Sequence, residues 1–128
     1  MNGKILIVDD ALFMRVTIKR ALEEEGFTDC LEAENGEAAC RIYEAEHPDL
    51  VLMDISMPVM NGIDALKNIK KMDSHAVVVM CSAVGQEAMI QEALEYGASE
   101  FIVKPFKKEQ ITEAVDMCLK SKQVVKYE

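Results

Sequence analysis

The chain has no uninterrupted apolar stretch of the roughly 18 or more residues needed to cross a bilayer. Its first residues, Met1-Asn2-Gly3-Lys4, lead straight into a strand-like run, with no signal-peptide core or cleavage site, so a cytoplasmic protein is expected. Positive charge is scarce: 14 Lys and Arg stand against 23 Asp and Glu, a net charge of −9. That balance, with the basic residues scattered, argues against a nucleic-acid partner. Cys30, Cys40, Cys81 and Cys118 show no C-x-x-C spacing and lie in apolar contexts, which predicts buried free thiols rather than disulfides or a zinc site. The only two histidines, His47 and His75, fall in loop-like stretches without other ligands and are expected in solvent. There is no linker, repeat or low-complexity tract. The 128 residues, half of them hydrophobic, fit a single domain over 1–128 with its core at about 4–120 and no output domain after it.

What is present is a fivefold alternation of apolar runs and helical patterns. Strands are predicted at about 4–8, near 30–33, at 50–53, at 76–81 and at 101–103. Between them, Met14, Ile18, Ala21, Leu22 and Glu25 share one face of a first helix, which Gly26 caps. Asn35-Gly36 reads as a turn before a helix built on Ala38, Ala39, Ile42 and Tyr43, and His47-Pro48 stops it. Asn61-Gly62 opens a third helix with Ile63, Leu66 and Ile69. A fourth runs from about Gln86 to Tyr96 and ends at Gly97. Ile111, Ala114, Val115, Cys118 and Leu119 make the strongest helical stripe, and Lys120 to Glu128 reads as a fraying end. Long apolar strands separated by helices indicate a buried parallel sheet. Strand two carries Glu32, as an edge strand tolerates. The expected architecture is α/β, a flavodoxin-like (βα)5 three-layer sandwich with strand order 2-1-3-4-5.

In such a sheet the carboxyl ends of the strands share one edge, and ligands bind there. Asp9 and Asp10 follow the first strand, Asp54 the third, Ser82 the fourth and Lys104 the fifth, so these five are expected to converge. Two carboxylates ~4 Å apart repel by about 4 kcal/mol at an effective dielectric of ~20. Lys104 and a divalent metal would relieve that repulsion, and an all-oxygen ligand set suits Mg2+. A carboxylate held ionised between Mg2+ and a lysine is also a nucleophile for phosphorus, and a nearby hydroxyl can bind the attached phosphoryl group. Spacing alone does not say which Asp is the nucleophile. Asp54 ends the central strand of the assigned order, with Asp9 and Asp10 at its flank.

These residues carry a family resemblance. Val8-Asp9-Asp10, Met53-Asp54-Ile55-Ser56-Met57-Pro58, Met60-Asn61-Gly62, Cys81-Ser82-Ala83 and Val103-Lys104-Pro105-Phe106 resemble the motifs of receiver domains of bacterial two-component signalling, over about residues 4–120. Asp9 to Arg15 and Cys81 to Gln86 are most similar to stand-alone chemotaxis receivers of the Gram-positive and Thermotoga type. The resemblance implies a signalling protein rather than an enzyme, with its own phosphorylation and dephosphorylation chemistry. Asp54 would accept phosphate from a sensor histidine kinase. Asp10, Asp54 and the Ser56 backbone carbonyl would bind one Mg2+, with Asp9 acting through water. Lys104 and Ser82 would hold the phosphoryl group, and the Lys104-Pro105 bond would be cis. Phe101 would be the aromatic switch, turning inward on activation. Ser82 replaces the commoner Thr, Phe101 the commoner Tyr, and Ser56 and Val84 occupy variable positions that tune dephosphorylation.

The implied output is protein binding by a monomer through helix four, strand five and helix five, around Met89, Ile90, Tyr96, Phe101 and Lys107. The flagellar motor switch is the expected target, with a phosphatase as a further partner. A phosphorelay receiver passing phosphate to a second histidine protein is the alternative. A flavodoxin is a distant one, because Asp9-Asp10 would repel a flavin phosphate. A haloacid-dehalogenase-like phosphatase would need Asp-x-Asp, and position 56 is Ser.

Overall fold

The computed structural model describes residues 3–127. Five strands, β1 (Lys4–Val8), β2 (Asp29–Ala33), β3 (Leu50–Asp54), β4 (Val78–Ser82) and β5 (Glu100–Val103), alternate with α1 (Leu12–Glu24), α2 (Gly36–Glu46), α3 (Gly62–Met72), α4 (Glu87–Glu95) and α5 (Lys108–Tyr127). All neighbouring strands pair in parallel, in the order β2-β1-β3-β4-β5, the flavodoxin-like arrangement.

Side chains alternate across a strand, so the inner strands β1, β3 and β4 feed two cores. Leu6, Val8, Val51, Met53, Val78 and Met80 face α2, α3 and α4. Ile5, Ile7, Leu50, Leu52, Val79, Cys81 and Ile102 face α1 and α5. β3, central and flanked on both sides, is buried along its whole length. Each fully buried Leu or Ile contributes roughly 1.5–3 kcal/mol of transfer free energy, and this double burial is why the strands read as continuous apolar runs.

The elements depart from the sequence expectations in a few places. Asn35-Gly36 is a helix start rather than a turn: Asn35 Oδ1 accepts the Ala38 N–H at 2.8 Å, and Gly36 is the first residue of α2. The fourth strand begins at Val78 and runs on to Ser82, two residues later at its start than expected and one later at its end; ahead of it, the Ala76 carbonyl accepts from Lys70 Nζ at 2.7 Å. Glu25 is exposed at the end of α1 instead of sharing its buried face. Only Cys81 is fully buried; Cys30, Cys40 and Cys118 are half-buried, and all four are free. α5 runs from Lys108 to Tyr127, and Met1, Asn2 and Glu128 lie outside the described residues. His47 and His75 are exposed. No helix among the described residues is long and apolar enough to cross a membrane.

Asn61 caps α3 by accepting the Asp64 N–H at 2.9 Å, and this pins the helix directly behind the end of β3. Gly62 makes the approach possible. A Cβ at that position would lie 2.0 Å from the Asp54 carbonyl oxygen.

Candidate functional site

The period-two alternation of the strands builds the site. Ile7, Leu52 and Ile102 point to the α1/α5 side, so the residues two positions further, Asp9, Asp54 and Lys104, leave the sheet edge on that same side. Lys104 Nζ donates to Asp9 Oδ2 at 3.0 Å and to Asp54 Oδ1 at 3.1 Å. Asp9 and Asp54 are only 2 % and 8 % exposed, whereas Asp10 is exposed. Carboxylate oxygens of Asp9, Asp10 and Asp54 all lie within 4.8 Å of one another.

The first loop is held from both ends. Asp9 Oδ1 accepts the Ala11 N–H at 2.9 Å, and the Asp9 carbonyl accepts from the Arg15 guanidinium at 2.7 Å. Arg15 in turn pairs with Glu32 of the edge strand, as does Lys19. The loop after β3 contains a three-residue turn at Val59, with φ 70° and the Met60 N–H donating to the Pro58 carbonyl at 2.8 Å. The Lys104-Pro105 peptide is cis, and the Lys104 N–H donates to the Ser82 carbonyl at 2.7 Å.

The charges do not balance. Three carboxylates face one ammonium, which leaves two negative charges for a cation to compensate. Burial raises the Asp54 carboxyl above its usual range; Lys104 opposes this, and Asp9 and Asp10 add to it. For Lys104, burial draws the ammonium down, but the hydrogen bond to Asp9 and the charge of Asp54 outweigh it, and the group stays protonated to higher pH than usual. Burial together with the Asp54 charge pushes the neighbouring Cys81 thiol up to about 12, so it stays neutral. A cluster of hard oxygen donors, partly buried and short of two positive charges, fits a Mg2+ ion.

Among the expected site residues, Asp9, Asp10, Asp54 and Lys104 come together. Ser82 is buried at the same edge but alternates onto the Met80 side of its strand, and its backbone is what the Lys104 N–H holds. Ser56 and Val84 are exposed in the loops on either side. Phe101 and Val103 are exposed on the α4 side of β5. Of the expected partner face, Tyr96 and Lys107 are exposed, and Lys67 Nζ lies 4.5 Å from the Tyr96 ring centre. Ile90 is not on that face: it is 8 % exposed and packs into the α2–α4 core, with Met89 half-buried against the same cluster. Gln86, which the sequence marks only as the start of a helix and the end of the Cys81–Gln86 motif, bonds both Ser56 and Ala83.

Comparison with known proteins agrees with this geometry. Residues 5–116 match the profile of the response regulator receiver domain. The chain is 51 % identical over 119 residues to the chemotaxis protein CheY of Bacillus subtilis (93 % of this chain, 99 % of that one). It is 48 % identical over 116 residues to CheY of Thermotoga maritima (91 % and 97 %). The crystal structure of a CheX–CheY–BeF3–Mg2+ complex from Borrelia burgdorferi superposes with a TM-score of 0.85 at 37 % identity, covering 90 % of this chain and 87 % of that one. With its parallel sheet, its acidic cleft and its paired lysine, the chain belongs to the response regulator receiver domain family and is CheY-like within it.

Proposed function

We propose that Asp54 is a phosphoacceptor and that the chain is a phosphorylation-switched binding protein. The observation that carries this reading is the placement of a buried carboxylate at the end of the central strand, 3.1 Å from a lysine ammonium and beside two further carboxylates. Asp54 attacks the phosphorus of a phosphohistidine on a sensor kinase; the oxygen–phosphorus bond forms as the nitrogen–phosphorus bond breaks, and imidazole leaves. Lys104 neutralises the incoming oxygens. Asp10, Asp54 and the Ser56 carbonyl are the groups to hold Mg2+, with Asp9 acting through water. When bound, the ion supplies further charge neutralisation at the phosphoryl oxygens. The Borrelia relative, solved with BeF3 and Mg2+, supports this assignment.

The output follows from the charge change. Phosphorylation replaces one negative charge by nearly two and adds acceptor oxygens. Ser82, at the same edge, turns its hydroxyl to them, and the space it leaves admits the Phe101 ring. The surface of α4, β5 and α5, with Tyr96, Phe101 and Lys107, then binds its target. In this reading the chain is cytoplasmic and its partners are a sensor histidine kinase, the flagellar motor switch and a phosphatase; the chemotaxis name of its CheY relatives and the CheX-bound Borrelia relative support it.

The test is incubation with acetyl phosphate and Mg2+, read by intact mass. The wild type gains one phosphoryl group, and Asp54→Asn gains none. Equal labelling of the variant overturns the assignment. A pull-down with a motor-switch peptide, with and without BeF3, then separates a chemotaxis output from a relay: BeF3 strengthens peptide binding in the first case, whereas phosphate passes to a histidine phosphotransferase in the second.

A further inference from the structure

Gln86 ties together two loops that flank Asp54. Its Nε2 donates to Ser56 Oγ at 2.8 Å, and its Oε1 accepts the Ala83 N–H at 2.6 Å. Ser56 lies two residues beyond Asp54, and Ala83 one residue beyond Ser82, on neighbouring strands. Gln86 occupies the N-cap position of α4 but makes no side-chain cap; its amide crosses to the β3 loop instead. The same turn is closed by the Gln86 N–H donating to the Ala83 carbonyl at 3.3 Å, and Gly85 reverses the chain at φ +96°. Val84 is thereby turned out to solvent, 80 % exposed.

We propose that Gln86 is a positioning residue for phosphorylation, a clip that holds the Ala83 N–H and the Ser56 hydroxyl in the unphosphorylated state and releases both when Asp54 is modified. The inference rests on Asp54 being the phosphoacceptor. A phosphoryl group brings three strong acceptor oxygens to a strand edge. The Ala83 N–H, next to Ser82, is a donor it can recruit, and a charge-assisted hydrogen bond is roughly twice as strong as one to a neutral amide. The N–H therefore gains by leaving Gln86. Once it leaves, the glutamine is anchored at Ser56 alone, and the two loops move independently. The clip stabilises only the unmodified state, so its bonds oppose phosphorylation.

The full-length chain is titrated with BeF3 in the presence of Mg2+ and followed by amide NMR. In the wild type, the Ala83 backbone and Gln86 side-chain amide signals both shift on saturation. In Gln86→Ala and in the length-preserving Gln86→Met, the Ala83 amide of the free protein exchanges faster with water. Both variants bind BeF3 about three- to tenfold more tightly, as expected for removal of one or two neutral hydrogen bonds from the competing state. Ser56→Ala, which cuts the other end, tightens binding as well, and adding it to Gln86→Ala gives no further gain. Equal affinity of wild type and both Gln86 variants, full additivity with Ser56→Ala, or an unmoved Gln86 amide overturns the clip while leaving the phosphoacceptor intact. Failure of every protein, wild type included, to bind BeF3 overturns the phosphoacceptor and the clip together.

Discussion

Lys104 Nζ lies 3.1 Å from Asp54 Oδ1, although the two residues end strands separated by a third. The lysine also binds Asp9, so it is the shared counter-ion of two buried carboxylates. Lys104→Met keeps the stem's volume and removes the charge. Breaking a fully buried pair costs about 3–5 kcal/mol, and the partial exposure of this lysine reduces that to about 2 kcal/mol. Urea unfolding in EDTA is expected to show this loss, and added Mg2+ should restore part of it. An unchanged midpoint in EDTA would mean that the lysine does not hold the carboxylates.

Asp54→Asn should act in the opposite direction. The raised Asp54 carboxyl means that its ionised form is, on balance, disfavoured in the fold despite Lys104. A carboxyl raised on folding contributes stability below its unfolded value and loses it as pH rises through the folded value. At pH 7, without divalent ions, the wild type therefore bears the full penalty and the neutral amide of the variant does not. The substitution should stabilise the protein by about 1 kcal/mol there. The gap should close as the pH falls through the carboxylate range, which unfolding curves at pH 7 and near 4 will show.

Much of this is legible in the amino-acid sequence alone. Double burial of β1, β3 and β4 wrote itself as apolar runs, and the carboxylates that end them stood out as polar punctuation. The convergence of Asp9, Asp54 and Lys104 on one side of the sheet also follows from alternation, once each strand's last buried residue is known. Other features were hidden by their tertiary origin. Ile90 sits in a short helix where one turn separates core from surface, so its neighbours do not reveal its side. Gln86 has no periodic signature, because both its partners come from loop geometry. The bond from Lys70 of α3 to the Ala76 carbonyl ahead of β4 is likewise tertiary and leaves no local sequence signal.

Mg2+ should stabilise the native chain by mass action. Ligand binding adds RT ln(1 + [L]/Kd), so each tenfold rise in Mg2+ above its dissociation constant adds about 1.4 kcal/mol. The unfolding temperature should climb steadily with Mg2+ in the wild type. Asp10→Asn removes one of the three carboxylates and leaves the Lys104 pairs untouched, so its unfolding temperature should respond only at higher Mg2+. A wild-type slope retained in the variant would place the ion elsewhere.

Gly62→Ala probes the close approach of α3 to β3. The added methyl would meet the Asp54 carbonyl at 2.0 Å, and the next nearest atoms, the Asp54 carbonyl carbon and Ile55 Cα, are also backbone and leave little room to yield. A destabilisation of about 3 kcal/mol is expected, at the upper end for overpacking. Because the clash is with Asp54 itself, Mg2+ affinity should fall as well. Gly85→Ala is the control: its Cβ meets nothing within 4 Å, so only the left-handed backbone resists it, at a cost of about 1 kcal/mol with Mg2+ binding retained.

The exposed ring of Phe101 allows a last test. It is 38 % exposed beside Val103, and it pairs in register with Met80, two residues before Ser82 on the same side of β4. The ring is thus close to Ser82 along the sheet yet outside the core. If the serine's movement opens the space for it, BeF3 and Mg2+ should bury the ring, seen as new contacts from the Phe101 ring to Met80 in NMR. Ser82→Ala removes the hydroxyl proposed to respond to the phosphoryl oxygens but leaves Asp54 and Lys104 able to bind the mimic. In that variant BeF3 should still bind, more weakly, while the ring stays outside. Inward movement in the variant equal to that of the wild type would uncouple Phe101 from Ser82 and make the ring's position a matter of local packing.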